Sequence, residues 1–186
     1  MYINNKKYWN DKFKERKDKL MSPEKDLVEN IFLFNKGTVL DLACGDGRNT
    51  IYLLEKGFVA TGVDYSTIAL DNLNKHASNK KLEVKTIVKD LEEAVTLEDL
   101  GKFDNIVINH YRLKKNLLKK LYMNLNYGGI LFISGFTREN TKARKEDLIL
   151  EKEIDSISNH LELIKIIDNE ELLDSKTYIL KRKGGL

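Results

Sequence analysis

Short apolar runs alternate along this chain with longer segments whose apolar residues recur at helical spacing. The apolar runs are rich in Val, Ile, Leu and Phe, and they cover residues 38–43, 58–63, 82–88, 103–109 and 129–136. The segments between them have the spacing of amphipathic helices, and they cover residues 48–56, 66–77, 92–98 and 112–126. Because strands separated by helices are joined by crossovers, the pattern predicts an α/β fold with a parallel sheet covered on both faces.

Both ends of the chain depart from this alternation. After residue 136 the sequence predicts a charged helix at about 142–157 and then two strands, Leu161–Ile167 and Thr177–Leu180. The loop between these strands is too short for a helical crossover, so we expect an antiparallel hairpin at the edge of the sheet. Residues 5–20 predict a polar helix, and Ser22-Pro23 is typical of the start of a second one.

Composition limits the class of protein. A chain of 186 residues fits one domain, and 41% hydrophobic with 33% charged residues is typical of a globular protein. No apolar run has the length of a membrane span, and the polar start MYINNKKYWN does not resemble a signal peptide. The single cysteine, Cys44, fits a reducing compartment, so we expect a cytoplasmic protein. A net charge of +3 does not by itself indicate nucleic acid as a partner.

The segment Val39–Asn49, VLDLACGDGRN, predicts a strand, a tight turn and the start of a helix. Small residues at Ala43, Gly45 and Gly47 let the backbone approach a ligand, and the amides at the start of the helix point toward it. Asp64 ends the next apolar run, 19 residues after Gly45, where a Rossmann-type unit places an acid that binds ribose hydroxyls. The unit therefore predicts a site for a nucleoside cofactor.

The acids in the turn bear on which nucleoside binds. Asp46 lies between the glycines, where its charge would repel a diphosphate, and Thr50 stands where a dinucleotide fingerprint has Gly or Ala. Arg48 partly offsets that repulsion, so a dinucleotide stays open as an alternative. S-adenosylmethionine has no phosphate and carries an ammonium and a sulfonium, which suit carboxylates at Asp41 and Asp46. The turn favours S-adenosylmethionine.

Several motifs resemble those of the class I S-adenosylmethionine-dependent methyltransferases, nearest to the small tellurite-resistance/thiopurine-type group. The resemblance is carried by VLDLACGDGRNTIYLLEKGFVATGVDYS, FDNIVINHY, LNYGGILFISGF and the aromatic opening YWNDKF. It implies a Rossmann-like, doubly wound sheet of seven strands, mostly parallel, with a reversed last strand. It also implies a single domain over residues 1–186, in which N-terminal helices (1–36) cover the cofactor site of a core (37–186).

The resemblance further implies a role for individual residues. Asp41 and the backbone of Ala43–Gly47 would hold the methionine moiety, and Asp64 would hold the ribose. Tyr65 and Ile68 would flank the adenine, and the remaining cofactor contacts that we expect are Trp9, Asn49, Asp90-Leu91, and Asn109 at the end of the fourth strand. Tyr8 and Trp9 have two interpretations, a cover over the sulfonium or a hydrophobic anchor for the N-terminal helix.

Methyl transfer needs mainly alignment of the acceptor, so few catalytic residues are expected. His110 and Tyr111 follow the fourth strand and are candidates for a base or an orienting group, although His110 has the alternative of binding a neighbouring loop. No spacing of His, Cys, Asp and Glu resembles a metal site.

We expect methyl transfer from S-adenosylmethionine to a small-molecule acceptor, with S-adenosylhomocysteine as the product and with residues 136–141 as a second cover. A methyltransferase that acts on RNA or another macromolecule is one alternative, but no proline follows Asn109, where enzymes that methylate the amino groups of adenine or cytosine in DNA typically carry Pro-Pro. A non-catalytic cofactor-binding module remains as the other alternative.

Overall fold

The computed structural model describes residues 6–16, 18–137, 148–149, 151–168 and 174–184. Within them, seven strands form one sheet in the order β3-β2-β1-β4-β5-β7-β6. The strands are β1 (Thr38–Leu42), β2 (Val59–Asp64), β3 (Lys85–Val88), β4 (Phe103–Asn109), β5 (Leu125–Phe136), β6 (Leu161–Asp168) and β7 (Ser175–Arg182). The helices are α1 (Lys6–Arg16), α2 (Lys25–Asn30), α3 (Arg48–Glu55), α4 (Thr67–Asn79), α5 (Lys115–Lys120) and α6 (Glu151–Asp155).

The strand directions agree with the predicted topology. Strands β1 to β5 pair in parallel, whereas β7 is antiparallel to both of its neighbours, β5 and β6. The last strand therefore enters between β5 and β6, and β6 forms the edge of the sheet. The predicted seven-stranded, mostly parallel sheet with an antiparallel C-terminal hairpin is confirmed.

Two apolar clusters cover the two faces of the sheet, as a doubly wound fold requires. Inward-facing residues of one face, such as Val39, Val107 and Phe132, pack with Leu27 of α2 and Leu53 of α3. On the other face the alternate strand residues pack with α5 and α6, and they include Leu40, Ile106, Leu131 and Tyr178. None of the described helices has the length and apolarity that a membrane crossing requires.

One predicted helix is absent. Residues 92–98 form turns instead, and only a 3-10 helix at Glu98–Leu100 follows. The amide of Glu92 donates to the carboxylate of Asp90 at 2.9 Å, a local side-chain bond that competes with helix formation. Leu97 and Leu100 are buried in the core, which holds the chain in this irregular path.

Two other helices begin or end at different residues than predicted. The helix expected at 112–126 is limited to α5, followed by a 3-10 turn at Leu121–Asn124, because the Asn124 amide donates to the carbonyls of Leu97 and Gly101. The helix expected to start at Ser22-Pro23 starts at Lys25, and Glu24, not Ser22, precedes it. Of the helix expected at 142–157, residues 142–147 and 150 lie outside the described residues, and α6 lies within the rest.

Candidate active site

The crevice between the carboxyl ends of β1 and β4 is the point where the strand order reverses. The chain leaves β1 toward β2 on one side and leaves β4 toward β5 on the other. In open α/β sheets ligands bind at such switch points. The residues at these two strand ends therefore define the candidate site.

Backbone strain marks both edges of this crevice. Ala43 directly follows β1 with φ 56°, and His110 directly follows β4 with φ 52°. Among the described residues the one further non-glycine residue with positive φ is Lys81, in the turn after α4. Left-handed backbone at a residue with a side chain costs roughly 1–2 kcal/mol, and such strain clusters at functional sites.

The glycine turn between β1 and α3 has the predicted shape. Gly45 and Gly47 have φ 56° and 89°, and the amide of Gly45 donates to Asp64 Oδ2 at 2.9 Å. A Cβ at Gly47 would overlap Leu73 of α4, so this glycine is needed for helix packing. The turn is thus fixed against β2 and α4 at the same time.

Asp41 is a buried carboxyl below the turn. It is 2% exposed, and Thr50 Oγ1 donates to its Oδ2 at 2.6 Å. Burial raises the pKa of Asp41 to about 7, against the hydrogen bond from Thr50, which lowers it, while the nearby charge of Asp64 raises it further. Thr50, which stands where a dinucleotide site has Gly or Ala, therefore holds this acid.

Asp64 ends β2 beside the turn. Its Oδ1 accepts from the amide of Ser66 and its Oδ2 from that of Gly45, both at 2.9 Å. Burial raises the pKa of Asp64, although these backbone hydrogen bonds act in the opposite direction. Because each carboxylate oxygen has a second lone pair, Asp64 keeps the capacity to accept hydroxyl donors.

Asp46 and Cys44 complete the turn. Asp46 is 3% exposed and forms an ion pair with Arg16 of α1 at 3.3 Å. Burial raises the pKa of the Cys44 thiol well above its usual range, which does not suit a nucleophile. A Cβ at Gly62 would lie 2.9 Å from Cys44 Sγ, so the cysteine packs tightly against β2.

Helix α1 lies across the turn. The ring of Phe13 packs on Gly45, and Trp9 stacks on Phe13 with ring centroids 5.8 Å apart. Asn10 accepts a hydrogen bond from Ser66 Oγ at 2.6 Å. Trp9 therefore contacts the site through Phe13, whose aromatic ring the sequence analysis quoted without giving it a role.

The residues expected near the adenine lie at the ends of β2 and β3. Tyr65 donates its hydroxyl to the carbonyl of Lys6 at 3.0 Å, and the Lys6 ammonium also pairs with the carboxylate of Asp90. Leu91 is buried in the core at 4% exposure, and Ile68 is half-buried at the start of α4. Lys6 thus joins the two strand ends, a contact that no local pattern indicated.

A polar network closes the β4 side of the crevice. Its centre is Glu24, a buried residue just before α2, whose Oε2 accepts from Arg48 Nη2 at 2.7 Å and from His110 Nε2 at 3.2 Å. With its amide oriented to satisfy both ends, Asn109 donates to Glu24 Oε2 at 3.1 Å and accepts from Asn49. The network thus joins three distant segments of the chain.

Glu24 is the main site residue that the sequence analysis missed. Burial, the largest contribution, raises the pKa of Glu24, but the hydrogen bond from His110 and the charge of Arg48 outweigh it and hold that pKa at about 2. Glu24 is therefore an ionised carboxylate at neutral pH. Neither its neighbours in sequence nor its spacing from the glycine turn indicated this role.

Tyr111 is turned away from this network. Its hydroxyl donates to Glu92 Oε1 at 2.6 Å, in the loop after β3. Burial raises the pKa of Tyr111, and the hydrogen bond to Glu92 raises it further. The structure thus places His110 with Glu24 and Tyr111 with Glu92, so the two candidate catalytic residues belong to different clusters.

The chemistry of these groups fits a cationic nucleoside. Asp41, Asp46 and Asp64 are all buried around one turn, and a positive charge bound there would stabilise the ionised form of Asp41. Asp64 has free acceptor capacity for ribose hydroxyls. The buried acids would repel a diphosphate. Of the second predicted cover, residues 138–141 lie outside the described residues.

Comparison with known proteins agrees with this geometry. Residues 39–129 match the model of a family described as a methyltransferase domain. The chain is 28% identical over 141 residues to the ubiquinone biosynthesis O-methyltransferase of Coxiella burnetii, across 73% of this chain and 59% of that protein. The chain thus spans about three fifths of the length of that curated relative.

Solved structures share the fold. TehB from Haemophilus influenzae superposes with a TM-score of 0.73 at 21% identity, over 95% of this chain and 67% of that one. A SAM-dependent methyltransferase from Aquifex aeolicus superposes with a TM-score of 0.68 at 18% identity, over 93% of this chain and 98% of that one. At these identities the likeness shows the fold alone.

Proposed function

We propose that this chain, which belongs to the class I S-adenosylmethionine-dependent methyltransferases of TehB-like type, methylates a small molecule in the β1/β4 crevice. The observation that carries the proposal is the set of three buried carboxylates, Asp41, Asp46 and Asp64, around one glycine turn at the switch point. The methyl donor of the family is S-adenosylmethionine, and its sulfonium supplies an activated methyl group.

Each side of the crevice has its own task in this proposal. Asp64 and the backbone of the glycine turn would bind the nucleoside, and Asp41 would balance the positive charge of the methionine part. Helix α1, with Phe13 on Gly45 and Trp9 on Phe13, would exclude water from above. The protein's main contribution is then alignment, which supplies roughly 7–11 kcal/mol in well-oriented reactions.

A small acceptor is supported by two observations. The chain resembles a relative that is named as an O-methyltransferase of ubiquinone biosynthesis, a small-molecule pathway. The segment after β4 reads Asn109-His110-Tyr111-Arg112, without the prolines typical of enzymes that methylate the amino groups of adenine or cytosine in DNA. The second observation favours a site that receives a free molecule over one that receives an extruded base.

Calorimetry tests the cofactor part of the proposal. We expect S-adenosylmethionine and S-adenosylhomocysteine to bind the folded protein at a one-to-one ratio, and NAD not to bind. Asp71→Asn, which removes an exposed acid on α4 and not a buried one at the turn, should leave this binding unchanged. Absence of binding by both nucleosides would overturn the proposal, and binding of NAD in their place would restore the dinucleotide alternative.

Transfer of a labelled methyl group tests the acceptor part. The protein and S-adenosylmethionine labelled in its methyl group are incubated with a cell extract that is divided into low-mass, protein and RNA fractions. We expect the label in the low-mass fraction. Label in RNA or protein would indicate a macromolecular acceptor, and a protein that binds S-adenosylmethionine but transfers label to none of the fractions would indicate a non-catalytic module.

A further inference from the structure

Helix α1 is fastened at both ends to acids of the candidate cofactor site. Arg16, its last residue, forms an ion pair with Asp46 in the glycine turn at 3.3 Å. Lys6, its first residue, forms an ion pair with Asp90 after β3. The cations of α1 therefore hold two carboxylates, one at each end of the predicted nucleoside site.

These contacts cover groups that the cofactor has to reach. The side chain of Asp46 is only 4% exposed beside Arg16. The ring of Phe13 lies on Gly45, and two of its atoms are 3.2 Å from the position that a Cβ would take there. A glycine in such a turn leaves room for a ligand beside its Cα, and here the Phe13 ring takes that room. A nucleoside that binds at the turn thus requires α1 to move.

Few apolar contacts hold α1 in this position. Of its eleven residues only Phe13 is buried. Lys6 and Lys7 stand in its first turn, where positive charge opposes the helix dipole, and no acid stands there to offset it. Elements with few buried apolar contacts open at a lower free energy than the rest of a fold. Polar contacts therefore contribute much of what keeps α1 closed.

The segment that follows α1 has the properties of a hinge. Residues 19–24 have no regular secondary structure, and the segment ends at Glu24, which accepts from Arg48 at 2.7 Å on the β4 side. Hinges are a few loop or element-terminal residues that absorb a change of backbone angles. Helix α1 can therefore leave the glycine turn while Glu24 and α2 stay in place.

We infer that α1 is a strap that must detach before S-adenosylmethionine enters, and that the Arg16–Asp46 and Lys6–Asp90 ion pairs hold it closed. The inference rests on the proposed methyltransferase function and adds how access to the cofactor site is controlled. The positive groups of the cofactor compete with Arg16 for the acids of the turn. The rate of binding is then set by the opening of α1 and not by diffusion of the cofactor.

The effect of salt separates such a strap from an open acidic site. An open acidic site attracts a cationic ligand, and salt screens that attraction, so salt slows binding. The side chains of Arg16 and Lys6 are 26% and 49% exposed, so salt also reaches the ion pairs that close the strap and weakens them. If α1 is a strap, added salt should therefore speed binding.

Stopped-flow fluorescence of Trp9, the single tryptophan of the chain, reports on α1 because its ring stacks on Phe13. We expect the observed rate to reach a plateau as the S-adenosylmethionine concentration rises. S-adenosylhomocysteine should give the same plateau, since the opening rate sets both. Raising KCl from about 50 to about 500 mM should raise the plateau at least about twofold. A rate that increases linearly with concentration, or one that falls with salt, would overturn the inference.

Arg16→Gln tests the ion pair at the glycine turn. It leaves the buried Asp46 without its cation in the closed arrangement, so the plateau should rise about three- to tenfold and depend less on salt. Lys14→Gln is the matched control, because it removes the same charge from an exposed position of α1 that forms no ion pair within the described residues. Equal plateaus in Arg16→Gln and the wild type, or equal effects of the two substitutions, would show that the ion pair does not hold α1.

Hydrogen exchange gives a readout without the cofactor. The amides of α1 should exchange at least about tenfold faster than those of α3, and Arg16→Gln should speed exchange in α1 and not in α3. Protection of α1 equal to that of α3 would contradict the inference. If α1 exchanges fast and neither S-adenosylmethionine nor S-adenosylhomocysteine binds, the proposed function is contradicted instead.

Discussion

The two sides of the β1/β4 crevice hold their polar groups by different means. On the β2 side backbone amides hold the carboxylate, since Asp64 accepts hydrogen bonds from the amides of Gly45 and Ser66 at 2.9 Å. On the β4 side other side chains hold the carboxylate, since Glu24 accepts hydrogen bonds from Arg48 and His110. A group held by backbone amides is placed by the fold itself. A group held by side chains from distant segments is changed by one substitution without a change of fold.

The difference suits the two halves of a methyl-transfer site. The side that would bind the nucleoside meets one ligand, and an arrangement fixed by the backbone is preorganised for it. The side that would meet the acceptor differs between enzymes with the same fold, because function resides in sites built on a common scaffold. Substitutions on the two sides should therefore affect different measurements.

The largest effect is expected at Gly47, where the backbone-held side is most tightly packed. Gly47→Ala places a Cβ onto Leu73 at φ 89° and should destabilise the protein by about 2–4 kcal/mol, from backbone strain and overpacking together. Gly57→Ala is the control, because Gly57 has φ 83° in the turn that ends α3 and nothing within 4 Å of a Cβ. Urea unfolding measures both, and equal losses would show that the contact with Leu73 contributes nothing.

Asp64 gives the next largest effect, on affinity. Asp64→Asn keeps an oxygen for one backbone amide but loses the charge, so S-adenosylmethionine should bind at least about tenfold more weakly. Glu24→Gln, on the β4 side, should change this affinity by less than about threefold. Calorimetry on both variants decides the comparison. A larger loss of affinity in Glu24→Gln than in Asp64→Asn would reverse the assignment of the two sides.

The same contrast explains what the sequence could predict. The glycine turn and its acids are determined by contacts within a few tens of residues, and each strand has its own apolar run, so spacing and apolar periodicity indicate them. Thr50 and Asp41 illustrate this. Thr50, which disfavours a dinucleotide, donates a hydrogen bond to Asp41, which favours a cationic ligand. The edge hairpin was predictable because its connecting loop is short.

Long-range contacts were beyond such patterns. Glu24 meets His110 only after residues far apart in the chain fold together, and no periodicity indicates that pair. The prediction of a helix at 92–98 was wrong for a related reason. The turn at Asp90–Glu92 and the burial of Leu97 outweigh the helix propensity of this segment. Local propensity is a weak prior where tertiary contacts compete with it.

The raised pKa of Asp41 predicts a pH dependence of cofactor binding. Burial raises that pKa to about 7, so the apo protein holds a proton there below neutral pH that the unfolded chain has released above about 4. A bound cation favours the carboxylate, so affinity for S-adenosylmethionine should rise up to about tenfold per pH unit below 7 and level off above it. Calorimetry in buffers of different ionisation enthalpy should show proton release at pH 6. Asp41→Asn removes this release, and release that persists in Asp41→Asn would assign it to another group.

The smallest effect is expected on stability in acid and concerns Glu24 on the β4 side. The pKa of Glu24 is shifted downward, whereas that of Asp41 is shifted upward. Because the pKa of Glu24 is held at about 2, below its ordinary value of 4.5, its contribution to stability is present above pH 4.5 and is lost as the pH falls toward 2. Glu24→Gln lacks that dependence, so its free energy of unfolding should fall less steeply than that of the wild type between pH 5 and 3. The difference in stability between the two proteins should therefore shrink over that range. Asp41→Asn should alter the stability profile between pH 4 and 7 instead, because its pKa is shifted upward. Circular dichroism across pH measures all three proteins, and a Glu24→Gln profile parallel to that of the wild type would show that Arg48 and His110 do not hold Glu24 ionised in the folded protein.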